Sequence, residues 1–469
     1  MKQTSKNFLK SFSFSAGANI VSMIVSALVV LIVPKSISTE GYGYYQLYIL
    51  YIGYAGFFQF GIIDGVYLRY GGAYYNELDK PKMYSQFCIL WILQLIEFVI
   101  VSILALSLES GPRLFVIISF GVEMILANTR GMLTYVLQAT NRIKEGAISN
   151  TIGRLVFFCL AMISLICGLK RFETIIVADI TGRVTALIYS SIKCKEIVFR
   201  HFHDFKWDLT ETRDNISVGF MLMLSSICSL LIMGILRFAI ENKWGIITFG
   251  KVSLTLSISN LVVTFINAAT LVLFPALRRA GNKTLTVFYK SVKVSLIPLT
   301  YCFLIFYYPV SKLLLMWLPK YAEGLRYMAI LFPLCVYEGR MSLLNNTYLK
   351  TTSDVKQILK INLSSVGVSV LLTALSVYLI QNLELSVLSI LLAVMFRCLH
   401  ADFAVGKKID LKVLTPTIME LVLMASFILL SWYVDSALST LGYCACLTLY
   451  FAINKKRIIN GLKELRAIV

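Results

Sequence analysis

Residues Met83 to Leu108 read MYSQFCILWILQLIEFVIVSILALSL, a run of 26 positions whose one charged side chain is Glu97. A helix needs about 20 mainly apolar residues to cross the hydrocarbon of a bilayer, and this run exceeds that length. Comparable runs occupy Ser11 to Val33 and Leu411 to Val434. Across the chain 58% of residues are hydrophobic and 15% charged, with a mean hydropathy of +0.77. A soluble domain holds about 45–50% apolar and about 25% charged residues, so no water-soluble core absorbs this composition. Backbone polar groups in lipid must be satisfied within the segment, and the alternation of a barrel strand is absent, which leaves an all-α integral membrane protein.

Apolar windows and their polar breaks predict about fourteen transmembrane helices. They fall near 11–33, 42–63, 83–108, 113–138, 147–169, 172–192, 216–240, 245–275, 291–318, 326–349, 360–381, 385–406, 411–434 and 436–453. The longest connection, Lys193 to Asn215, is too short for an extramembrane domain, so any function lies among the helices. Its position divides the chain into an N-terminal six-helix bundle over 1–205 and a second over 206–406. A last pair of spans with a basic tail occupies 407–469. Six is an even number, so the bundles enter the membrane in the same sense, as a parallel pseudo-repeat does. LIVPKSISTEGYG (Leu31 to Gly43) and MGILRFAIENKWG (Met233 to Gly245) echo one another across this division, each an acidic turn ending aromatic-Gly.

The net charge of +19 sits mainly in the short connections, not on a nucleic-acid-binding face. Most of the 44 Lys and Arg fall in alternate connections, beginning with Lys2, Lys6 and Lys10 and ending with Lys455, Lys456 and Arg457. The positive-inside rule then places both termini in the cytoplasm. The basic start followed by an apolar stretch mimics a signal peptide, but the stretch is long and lacks a cleavage site before Pro34, so it reads as a retained span. Ten cysteines form no C-x-x-C pair and read as apolar fillers; His201 and His203 alone make no metal site. No P-loop, G-x-S-x-G or zinc spacing is present, so the chain reads as no enzyme, with no cofactor and no metal.

Among the cations inside predicted spans are Arg130, Arg154, Arg183, Lys251, Arg340 and Arg397. Each costs roughly 2.5–3.5 kcal/mol at a helix centre, so they face protein or water. Asp179 and Arg183 have the i,i+4 spacing of an ion pair, whereas Glu123 and Arg130 are seven apart. Arg154, Lys251 and Arg397 have no acid within a turn; they pair across helices or line a cationic cavity. Polar stripes run along span one (Ser15, Asn19, Ser22, Ser26) and span eight (Ser253, Ser257, Asn260, Thr264, Asn267). Small hydroxyl residues serve close helix packing, while asparagines also suit hydroxyl-rich ligands. Tyr44, Tyr48 and Tyr51 form a further stripe, fit for an interfacial belt or for the faces of sugars.

Ile37 to Gly72, ISTEGYGYYQLYILYIGYAGFFQFGIIDGVYLRYGG, resembles the polysaccharide transporter family, bacterial flippases for lipid-linked oligosaccharides grouped with multidrug and toxin extruders and the lipid II flippase. The matching features are the acidic turn E-G-Y-G-Y (Glu40 to Tyr44), the second span, and an exit through Gly61, Asp64, Gly65 and Arg69. The resemblance implies two six-helix bundles whose helices one, two, seven and eight face a cationic cavity, working by alternating access in the bacterial inner membrane. Its implied cargo is a polyprenyl diphosphate bearing sugars, with the membrane lipids around it and the polymerase and glycosyltransferases of one pathway as partners. Arg69, Arg130, Arg154, Lys251, Arg340 and Arg397 would suit the diphosphate, and Asn19, Asn260, Asn267, Tyr48 and Tyr51 the sugars. Glu97, Glu123 and Asp179 are the candidates for ion coupling. Span one lacks the arginine of the lipid II branch, which points to an O-antigen, capsule or exopolysaccharide unit. A drug exporter of the same fold would favour a less cationic cavity, and a membrane-embedded polymerase would need a larger loop.

Overall fold

The computed structural model describes the backbone of residues 2–279, 282–352, 354–411, 414–434 and 436–468. It describes the side chains of residues 17, 20–264, 266, 285–352, 354–411, 414–434 and 437–465. No strand occurs among the described residues. The order is α1 (Lys2–Ser36), α2 (Thr39–Gly53), α3 (Ile62–Arg69), α4 (Lys80–Leu108), α5 (Gly111–Ala139), α6 (Ile143–Ile166) and α7 (Phe172–Lys193). There follow α8 (Leu209–Arg279), α9 (Asn282–Thr300), α10 (Tyr307–Trp317), α11 (Leu334–Arg340), α12 (Val355–Thr373), α13 (Leu383–Lys408), α14 (Leu414–Tyr433) and α15 (Ser436–Ile468). Two compact units divide the chain, Met1–Leu230 and Leu231–Val469.

Polarity is inverted relative to a soluble protein. Ile96, Val99, Ile100, Ile103 and Leu104 of α4 are exposed, while Gln86, Gln94 and Glu97 of the same helix are buried. Only a lipid surround makes that arrangement favourable, and the chain is a multi-pass integral membrane protein. Among the described residues ten helices are long and apolar enough to cross a bilayer, or eleven with the bent pair Thr39–Phe57 and Ile62–Arg69. One of the ten, Leu209–Thr264, covers both the seventh and the eighth expected spans. It is interrupted at Gly245, whose φ of 81° and ψ of 174° belong to a region open essentially to glycine alone.

Three expectations change. The second span is not one straight helix: it bends by 56° between α2 and α3, where Phe60 and Gly61 both take positive φ. The tenth is broken into the short helices Ala322–Arg326, Met328–Leu331, α11 and Thr347–Thr351, with Pro333 before α11 and a π-helical turn at Met341–Asn346. The two echoing segments also differ in backbone. In the first the chain turns at Ile37 and Ser38, with the Ser38 hydroxyl accepting from Gly41 N to cap α2, and Gly43 lies inside the helix. In the second the turn is at Gly245 itself.

Glycine fixes how the first unit closes. A Cβ on Gly65 would overlap the carbonyl of Asn215, and one on Gly219 would overlap that of Gly61, so α3 and the start of α8 touch backbone to backbone. Ile62, Val66, Met83, Leu90, Met132, Leu133 and Leu137 fill the core that α3, α4 and α5 share. In the second unit Tyr289, Val292, Leu344, Ile361 and Ala401 join α9, the π-helical turn, α12 and α13.

Candidate functional site

The bend in the second span frees carbonyl groups that lipid cannot satisfy, and side chains of α4 and α5 take them up. Gln94 Nε2 donates to Phe58 O at 2.8 Å, and Asn128 Nδ2 donates to Ala55 O at 2.9 Å. Asn128 also donates to Gln94 Oε1, and Gln94 to Glu97 Oε2, both at 2.7 Å. Gln59 closes the bend from the other side: its Oε1 accepts from Ile63 N at 2.8 Å, and its Nε2 donates to Asp64 at 2.7 Å. Glu97 therefore sits buried at the hinge of this span, with its Oε1 unpartnered.

Deeper in the unit, α2, α5, α6 and α7 assemble a charged core. The i,i+4 spacing places Arg183 Nε 2.9 Å from Asp179 Oδ2, and the same guanidinium reaches Glu123 Oε1 at 2.5 Å. Tyr48, fully buried, donates its hydroxyl to Asp179 Oδ2 at 3.2 Å. Arg130 donates to Asn150 and, with Arg154, lies within electrostatic reach of Glu123. Neither Arg130 nor Arg154 has a carboxylate within ion-pair distance among the described residues, and Arg154 is exposed. Two carboxylates thus lie within electrostatic reach of three arginines, of which Arg183 alone is paired with them and Arg154 is exposed. Five of the residues expected from sequence come together here: Tyr48, Glu123, Arg130, Arg154 and Asp179.

The remaining candidates are placed elsewhere. Tyr51 packs against Phe120, ring centroids 5.8 Å apart, and Tyr44 stacks on Phe172 at 5.3 Å. Arg69, at the end of α3, donates to Glu211 Oε1 and Asn215 Oδ1, each at 2.7 Å, and Lys82 and Tyr70 share that carboxylate. Lys251 pairs with the exposed Glu323 at 2.5 Å. Arg397 pairs with Glu338 at 3.1 Å and donates to Asn362 at 3.0 Å. On α8, Ser253 is buried and accepts from Arg237, whereas Asn260 and Thr264 are exposed. Asn19 and Asn267 lie outside the residues whose side chains are described.

Arg340 is fully buried, joined to Asp402 of α13 and, at 2.6 Å, to Glu420 of α14. Lys293 of α9 stands 2.9 Å from the same Asp402. Reading the sequence for lone cations did not reach Lys293, Asp402, Glu420, Glu338 or Glu211. The cost that singles out an arginine in an apolar run applies equally to Asp402 and Glu420, each an acid inside a predicted span. Lys293 is the third residue of predicted span nine, where it resembles a residue of the adjoining connection.

Helices with apolar outer faces and charge held inside define a multi-span, all-α membrane fold. It is similar to the lipid II flippase MurJ in an inward closed conformation, at TM-score 0.62 and 12% identity, over 96% of this chain and 99% of that one. It is also similar to an inward-facing multidrug resistance MATE family transporter of the MOP superfamily, at TM-score 0.60 and 12% identity, over 84% of this chain and 98% of that one. At such identities the likeness is one of fold. No curated protein sequence matches the chain. The polysaccharide biosynthesis protein family matches residues 8–281, more than half of the 469, and the chain belongs to that family.

Proposed function

We propose that the cargo is a polyprenyl-diphosphate-linked oligosaccharide, the repeat unit of an O-antigen, capsule or exopolysaccharide, carried across the bacterial inner membrane by alternating access. The observation that carries this reading is that Arg130 and Arg154 of the first unit are not ion-paired among the described residues. Arg130 and Arg154 lie beside carboxylates already engaged by Arg183, so their charge is available to a diphosphate. Arginine suits this task because its guanidinium forks onto phosphate oxygens. Arg69, Lys251, Arg340 and Arg397 complete the cationic set, Asn19, Asn260, Asn267, Tyr48 and Tyr51 the sugar-facing set, and Glu97, Glu123 and Asp179 the ion-coupling set. In this topology fourteen spans form two six-helix bundles, 1–205 and 206–406, with a last pair over 407–469 and both termini cytoplasmic. Glycosyltransferases and a polymerase of the pathway supply and consume the cargo.

The test is flipping of a fluorescent lipid-linked oligosaccharide in proteoliposomes. A charge-assisted hydrogen bond to phosphate is worth about 1.5–3 kcal/mol, so Arg130→Gln and Arg154→Gln should each slow flipping by roughly 10- to 100-fold. Unchanged flipping in both variants would remove the diphosphate assignment. Export of an organic cation by the wild-type protein, with no movement of the lipid, would replace the reading by a drug exporter.

A further inference from the structure

The connection between α7 and α8 carries a face that neither the cargo reading nor the helix packing uses. Its inner side is part of the core: Cys194 and Ile197 are fully buried with residues of α3, α4 and α5. Lys206 N donates to Ser85 Oγ at 3.0 Å, and Gln86 Nε2 donates to Asp208 O at 3.0 Å. The connection therefore lies across the first turns of α4 and does not stand off from them. Its outer side is aromatic. Phe199, Phe202 and Trp207 are 68, 82 and 63% exposed, and the Phe205 ring lies 5.8 Å from Phe202 and 5.0 Å from Trp207, centroid to centroid.

The charges of this stretch are sorted. Glu196 lies 3.9 Å from Lys80, Asp204 2.9 Å from Arg200 and Asp214 3.8 Å from Arg69. Asp208 accepts from Glu211 N at 3.0 Å, and Glu211 holds Arg69 and Lys82, so every acid is engaged. Three cations are not. Lys195, Lys206 and Arg213 are exposed, and among the described residues none of them lies within ion-pair distance of a carboxylate.

Depth decides what covers the exposed rings. Trp91 is the first exposed large apolar residue of α4, and about 8 Å of helix rise separates it from Gln86. The connection is thereby held at the height where α4 enters lipid, the headgroup layer, in which amphipathic rings are favoured. Cations at that height meet phosphate, and in the topology proposed above this is the cytoplasmic side, where the leaflet is anionic.

We propose that the connection is a docking surface for anionic phospholipid of the cytoplasmic leaflet. Phe199, Phe202 and Trp207 seat among the headgroups, and Lys195, Lys206 and Arg213 meet their phosphates. Depth and charge together select a lipid surface over a cytosolic protein. Bound lipid fastens the segment that leads into α8 and supports the hydrogen bonds that Ser85 and Gln86 make to it. The inference uses the orientation of the chain and nothing of its cargo.

The experiment is tryptophan quenching by brominated lipids, with the full chain in nanodiscs without cargo. The difference between wild type and Trp207→Phe isolates the signal of that ring. Phosphatidylcholine brominated near the headgroup should quench it, and brominated phosphatidylglycerol should quench it at a lower mole fraction. Lys195→Gln and Lys206→Gln should each lower the preference for phosphatidylglycerol roughly fivefold, the weight of one cation at an anionic surface. Lys170→Gln, in the connection before α7, should leave it unchanged. Retention of phosphatidylglycerol in native mass spectrometry, read on the same lysine variants, serves if Trp207→Phe fails to fold. No quenching of Trp207 by either lipid, equal quenching by both, or an equal loss of preference in Lys170→Gln overturns the proposal. So does labelling of Lys206→Cys above the wild-type level by an impermeant thiol reagent in right-side-out vesicles, which would place the connection outside. Failure of the flippase reading appears only in the transport assay and leaves these results standing.

Discussion

Arg183 holds two carboxylates at once, so the consequence of losing it differs from that of losing either partner. With the guanidinium gone, Glu123 and Asp179 are left buried and close together, the situation in which breaking a buried pair costs about 3–5 kcal/mol. Arg183→Gln should lower the melting temperature in detergent sharply, whereas Glu123→Gln should lower it less, since Arg183 keeps Asp179. Equal losses in the two variants would show that the three charges do not act as described. Outside the spans, Asp354 caps α12 by accepting from Gln357 N at 3.1 Å and pairs with Lys408. That lysine holds the Asp354 carboxyl below its usual range. A carboxyl depressed in the folded state stabilises at neutral pH, and the contribution disappears as pH falls through the depressed value. Asp354→Asn should therefore flatten the acid limb of the stability profile, as followed by thermal unfolding at stepped pH. An unchanged acid limb would remove the pair from the account.

At the scale of elements, the exit motif of the second span is a packing device before it is anything else. Gly61 and Gly65 let α3 lie on the backbone of α8, and this contact brings Arg69 to Glu211. Gly65→Ala should cost about 1–3 kcal/mol through overpacking and reduce the folded yield on size exclusion. Gly367→Ala, on an open face of α12 with nothing within 4 Å of the added methyl, should be neutral or gain up to about 1 kcal/mol of helix propensity. If both variants behave alike, backbone contact is not what the glycines provide. These elements were unevenly legible in the sequence. Apolar runs announce helices because a bilayer demands them, and the pair Asp179 and Arg183 follows from helical spacing alone. The bend after α2 is hidden because the residues that make it tolerable, Gln94 and Asn128, lie on other helices. The partners of Arg340 and Arg397 are equally remote in sequence, as is Glu211 from Arg69. Cross-helix pairing leaves no local spacing to read. The break at Gly245 sits between two apolar runs, and glycine there signals a turn without saying how sharply the chain departs from helix.

At the scale of the molecule, the last two helices belong to the second unit and are not an appendage beside it. Glu420 of α14 meets Arg340, and Ser431 donates to Tyr308, whose own hydroxyl donates to Ser439 O. Tyr443 of α15 donates to Tyr301 O at 3.0 Å, and Ser291 of α9 donates to Glu464 at 2.7 Å. Phe427 packs edge-on against both Tyr307 and Tyr443, with centroids 5.4 and 5.1 Å away. Arg326 lies 4.4 Å above the ring of Trp432. A chain stopped after Asp410 would leave Arg340 with one carboxylate and would expose Tyr301, Tyr307 and Tyr308 to lipid with polar atoms unmatched. Such a truncation should fail to accumulate as folded protein, read as loss of the monodisperse peak and rapid trypsin cleavage within 231–410. Expressing 411–469 as a separate chain should restore the peak if these contacts are sufficient for docking. A stable, protease-resistant truncated protein would mean that the second unit closes without α14 and α15, and that the contacts between them and the rest of the unit contribute little.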